Sequence, residues 1–154
     1  MAAKRRTQRP LGAILLALLV GFQALSGLFG GGVLVADPSG GLLRMPLSVL
    51  DRAPFADFLV PGLILLVILG VVPAVVAFAL WARPAWRTAG SIERVFGEHW
   101  AWVGAGVVGV GLLIWLAVEA WLVGPSALLI VYGIVAMLIV GLALMPSTRR
   151  YYRA

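Results

Sequence analysis

The sequence has no cysteine, a single histidine and few charges. Without cysteine there is no disulfide, no thiolate metal site, no redox pair and no cysteine nucleophile. Charged residues make up 12% of the chain, with Asp and Glu together contributing 6. The convergent clusters of His, Asp and Glu needed for metal or acid–base chemistry are therefore lacking, and no metal or other cofactor is expected. The lone histidine, His99, stands between Glu98 and Trp100 and reads as an interfacial residue rather than a ligand or base. Long polar stretches are missing too. The segments between apolar runs, 37–57 and 83–99, are loops, too short for a soluble domain.

What the chain does contain is apolar surface. Of its 154 residues 62% are hydrophobic, and the mean hydropathy of +1.06 lies far above that of ordinary soluble domains. A net charge of +6 points to nucleic acid only when the cations share a folded basic face. Here they flank apolar runs, so the expected partners are anionic lipid headgroups at the inner face of a membrane, with no nucleic acid. All basic residues except Lys4 are arginine, which fits a GC-rich bacterial genome.

No charge occurs from Pro10 to Ala36 or from Phe58 to Ala82, and each run is long enough for the roughly 20 residues that cross a hydrocarbon core of about 30 Å. From Trp100 to Thr148 the only charge is Glu119, and Gly124-Pro125-Ser126 divides that stretch. Glycine ends one helix, proline cannot continue it, and Ser126 is placed to cap the next. These features predict an all-α four-helix transmembrane bundle, a single membrane domain over 1–154, with spans over about 11–35, 58–82, 101–122 and 126–146. Helices are required because a lipid-facing backbone must satisfy its own polar groups, and alternating polarity of the kind a barrel needs is absent.

Lys4, Arg5, Arg6, Arg9, Arg83, Arg87, Arg94, Arg149, Arg150 and Arg153 fall on one side of this topology, against Arg44 and Arg52 on the other. The excess of inner cations predicts both ends in the cytoplasm, in a multi-pass protein of the bacterial cytoplasmic membrane. A basic start followed by Ala24-Leu25-Ser26 before Gly27 also has the outline of a cleaved signal peptide, and cleavage would leave three spans. The apolar run continues to Val35, past the 7–15 residues of a signal core, so the first span is expected to be retained. Arg5-Arg6 is followed by Thr-Gln-Arg, without the apolar continuation of a twin-arginine signal.

In the outer loop, Asp37-Pro38-Ser39-Gly40 predicts a type I turn. Pro46 before Leu47 to Arg52 predicts a short interfacial helix over 45–52 with proline in its first turn, ended by Pro54. Trp81, Trp86, Trp100 and Trp102 around the inner-loop charges predict a second interfacial helix over 86–98.

Gly104-Ala105-Gly106-Val107-Val108-Gly109 has the letters of a dinucleotide-binding loop but lacks the preceding strand. Inside a span such glycines predict close helix packing, as do the Ala17/Gly21 and Gly27/Gly31 pairs. Pro73 removes a backbone hydrogen bond and predicts a kink near Gly70.

Glu119 is the residue that most calls for a partner, because a carboxylate among Trp115, Leu116, Trp121 and Leu122 is costly in lipid. It sits about 9 Å below the 124–126 turn at 1.5 Å per residue. Tyr132 is level with it in the next span and is expected to offer its phenol as a hydrogen-bond donor. Gln23 and Ser26 share a helical face in the first span, slightly deeper. With Asp57 at the outer mouth, these residues form the candidate polar binding cluster: Glu119, Tyr132, Gln23, Ser26 and Asp57. The plainer alternative has Glu119 reaching to the outer headgroups and Gln23 serving only as helix-packing glue.

The stretches Asp37-Pro38-Ser39-Gly40-Gly41 and Pro54-Phe55-Ala56-Asp57-Phe58-Leu59-Val60-Pro61-Gly62 resemble those of small four-span integral membrane proteins of actinobacteria. The resemblance implies the four-span topology and brings no activity with it. Those proteins more often carry an amide near the end of the third span, so Glu119 departs from their pattern and a family-wide catalytic role is not implied.

Taken together, the residues predict a non-enzymatic membrane protein acting through packing, lipid contact or a partner protein, with a homo-oligomer also open. The alternative is a small oligomeric transporter or channel-like subunit in which Glu119, Asp57 and Gln23 line a path. A membrane enzyme acting on a lipid-soluble substrate comes third.

Overall fold

The structure, a computed structural model, describes residues 9–84 and 90–153, and among them the chain is all α. Four helices are long and apolar enough to cross a membrane: Leu11–Ala36, Leu59–Ala82, Trp100–Val123 and Ala127–Leu144. We label the first α1. The second is α2 (Leu59–Leu66) joined by a π turn (Val67–Val71) to α3 (Val72–Ala82). A short α4 (Gly90–Phe96) precedes the third span, α5 (Trp100–Val123), and the fourth, α6 (Ala127–Leu144), is followed by α7 (Pro146–Tyr151). Large apolar side chains such as Phe29, Trp121 and Ile130 are exposed on the outside of the bundle, the arrangement expected where hydrocarbon is the solvent.

The fourth span is shorter than the expected 126–146. Met145 is extended (ψ 130), because a following proline, Pro146, disfavours the α conformation. Ser126 caps α6 as anticipated, its Oγ accepting from the Leu129 N–H at 3.3 Å. Gly124 ends α5 as anticipated, with φ +91 and extended ψ, a combination open to glycine because it has no Cβ. In the loop at this end Gly40 N–H donates to the Asp37 carbonyl, closing the predicted 37–40 turn. Asp37 Oδ2 also accepts from Leu42 N–H at 2.8 Å, and these bonds, that from the Ser39 hydroxyl foremost, hold its carboxyl below the usual range. The helix expected over 45–52 is a single 3-10 turn, Leu47–Leu50, with Pro46 extended before it. Of the helix expected over 86–98, α4 supplies Gly90–Phe96, and residues 85–89 lie outside the described residues.

The closest crossing joins α1 to the second span. A Cβ on Gly27 would fall on the Leu69 carbonyl, one on Gly31 on the Leu66 backbone, and one on Gly62 would stand 2.8 Å from Leu34 Cβ. Backbone therefore lies directly on backbone, as small residues permit in membranes. Gly104 and Gly109 likewise receive Val76 and Val140 side chains, whereas Gly106 faces open space.

The effect of Pro73 falls where expected and takes a specific form. Lacking an N–H, it cannot bond the carbonyl four residues earlier, Leu69, and the helix widens into the π turn Val67–Val71. Gln23 supplies the missing donor: its Nε2 donates to the Leu69 carbonyl at 3.3 Å. Gln23→Leu is expected to cost about 1 kcal/mol, and much less in a Pro73→Ala background, where an N–H competes for that carbonyl. Denaturant titration of the four proteins in micelles measures the coupling. Strictly additive effects would disprove the pairing.

At the end where both termini of the described chain lie, α7 folds back beneath the bundle. Thr148 packs at Gly12, Glu98 pairs antiparallel with Arg153, and the Tyr152 carbonyl accepts from His99 N–H. Glu98, only 2% exposed, accepts from Arg149 Nε at 2.8 Å.

Candidate functional site

Beyond the π turn the second span parts from α5. Its second half, α3, packs on α5 as well as α1, while α2 packs on α1. The gap is a cavity of about 390 Å³ between the halves of the spans nearer the 37–57 loop, within the size range of ligand sites. That loop lies over part of it. Phe58, buried, anchors that loop through a bond from its N–H to the Pro38 carbonyl at 2.9 Å, and with Leu34 and Leu50 it forms a second apolar cluster. Met45, Val49 and Phe55 of the loop line the cavity roof.

Four of the five candidate residues line this cavity: Gln23 and Ser26 from α1, Glu119 from α5 and Tyr132 from α6. Asp57 does not. Its Oδ1 accepts from Leu59 N–H at 2.9 Å, so it caps the second span at the surface. The expected bond between Tyr132 and Glu119 is not formed. Tyr132 turns toward α1 and stacks on Phe22 with ring centroids 6.3 Å apart, while the carboxyl of Glu119 interacts with the indole of Trp115, one turn earlier on its own helix. That i, i+4 relation was readable from the sequence.

Gln23 is 2% exposed. With its amide nitrogen committed to Leu69, its Oε1 is left without a hydrogen-bond partner and without accessible surface, enclosed behind the cavity wall. Among the described residues Glu119 is the one charged residue lining the cavity, and apart from it, Gln23, Ser26, Trp115 and Tyr132 the walls are apolar. The loop residues of the roof were missed by motif reading. Their signal was the density of Leu, Met, Val and Phe in a segment that solvent alone would not favour.

His99 serves as a helix cap: its Nδ1 accepts from Ala101 N–H at 3.2 Å. Burial lowers its imidazole pKa, opposed by nearby Glu93. Among the described residues no group of three His, Asp or Glu is gathered to hold a metal ion.

A scan against models of protein families and searches of curated proteins and of solved structures find no match to this chain.

Proposed function

We propose that this chain is a non-enzymatic subunit of the bacterial cytoplasmic membrane, with both ends in the cytoplasm, whose partner is a small lipophilic ligand held in the outer half of the bundle. The observation that carries this reading is the cavity of about 390 Å³ with Glu119, Ser26 and Tyr132 among otherwise apolar lining side chains. A cavity of this size with few polar groups has the character of a ligand site. A pocket is favoured over a conducting path because the loop covers its outer side and the glycine crossing of α1 with the second span limits its depth. The four-span resemblance drawn from the outer loop agrees with this and specifies no ligand.

Gly30 offers the test, because it lines the cavity and nothing lies within 4 Å of a Cβ built there. Native mass spectrometry of the protein extracted from membranes should show a bound small molecule that Gly30→Leu loses, with its helicity and thermal transition unchanged. Identical adduct spectra for the two proteins would refute the assignment.

A further inference from the structure

The chemistry of the cavity wall restricts what it can hold. Its strongest polar group is an acceptor, the carboxyl of Glu119. The remaining polar side chains do not reverse that balance: the indole of Trp115 interacts with Glu119 on its own helix, and the Ser26 and Tyr132 hydroxyls can accept as readily as they donate. Among the described residues no lysine, arginine or histidine lines the space. An anionic ligand would meet Glu119 at short range with nothing to neutralise it, in surroundings where such repulsion is poorly screened. A pure hydrocarbon would bring the carboxyl no donor, at the cost of unmade bonds in an apolar setting.

We propose that the cavity binds a lipophilic ammonium cation, its N–H groups directed to the Glu119 carboxyl and its apolar body lying among Leu, Val and Phe side chains. This rests on reading the cavity as a ligand site and adds the class of ligand. The rings of Phe55, Phe58, Trp115 and Tyr132 among the lining residues suit a cation as well as an apolar chain, because an aromatic face is the negative end of its quadrupole. Glu119 then has a role that neither snorkelling nor helix packing gives it. Without a cation the carboxyl carries its own desolvation, and with one the two charges are buried together as a hydrogen-bonded pair.

The test compares 4-phenylbutylammonium with 4-phenylbutanol, nearly equal in shape and differing in charge and donor count. Equilibrium dialysis of each against the full chain in phosphatidylcholine nanodiscs, corrected by empty nanodiscs, gives the bound fraction. The ammonium is expected to bind about tenfold or more tighter than the alcohol, the advantage of a charge-assisted hydrogen bond over a neutral one. Glu119→Gln should remove that preference while alcohol binding persists, and Gly30→Leu should remove both. Equal binding of the two compounds to the unaltered chain would overturn the cation assignment and leave the cavity as a ligand site. Absence of saturable binding by either would overturn both readings.

Discussion

Gly27→Ala is expected to destabilise the bundle by about 3 kcal/mol or to prevent its folding, whereas Gly32→Ala, five residues on, is expected to be neutral within about 0.5 kcal/mol. Both substitutions add one methyl group to the same helix, and both carry the same small gain in helix propensity. They differ in what the methyl meets. At Gly27 it falls on the backbone carbonyl of Leu69, which cannot rotate aside, and at Gly32 nothing lies within 4 Å. Relief at Gly27 requires α1 and the second span to separate, which also pulls Gln23 from the Leu69 carbonyl and disturbs the wall of the cavity. Unfolding by denaturant titration in mixed micelles measures both variants. Equal stabilities would show that the glycine crossing does not hold these helices together.

Tyr152→Ala is expected to cost about 3–5 kcal/mol, the range for removing a buried large side chain, and Tyr152→Phe only about 1 kcal/mol. Tyr152 is 1% exposed, and its phenol donates to the Leu80 carbonyl at 2.9 Å. Leu80 lies four residues before Pro84, so its carbonyl lacks a helical N–H for the same reason as Leu69. Most of the cost is therefore packing, and the smaller part is the bond to that carbonyl. Burial pushes the Tyr152 phenol up to about 12 from an ordinary value of 10.0. The raised value means that its contribution is fully present below about pH 10 and is lost as pH rises toward 12. The alkaline loss of stability should be shallower in Tyr152→Phe. An Ala variant as stable as the native chain would show that the folded-back tail is not part of the bundle.

Two prolines thus have a shared consequence: each frees a carbonyl, and each carbonyl is taken by a side chain distant in sequence, Gln23 in one case and Tyr152 in the other. The position of the first break was legible, since Pro73 announces a missing donor. The identity of the donor was not, because a glutamine in one span can face any of three neighbours. For Glu119 and Tyr132 the shared depth was readable from their spacing about the 124–126 turn, and both do reach one cavity. Rotation about the helix axis was not readable, and Tyr132 turns to Phe22 while Glu119 interacts with Trp115 on its own helix. Asp57 illustrates the same division. Its place beside the second span was plain, but its carboxylate closes the helix start instead of joining the cluster.

By itself the sequence determined that the chain is helical, where its four spans run, that Gly27 and Gly31 mark a close helix crossing and where the second span must break. These follow from rules acting along the chain: hydropathy over a membrane thickness, the missing donor of proline and the missing side chain of glycine. Only the tertiary structure decided that the break parts the second span from α5, that the 37–57 loop lies over the gap, and that Glu119 lines it while the Gln23 amide turns to the Leu69 carbonyl. The reason is that each depends on which faces of separate helices meet, and in a bundle apolar on nearly every side the hydrophobic pattern does not single out one face from another.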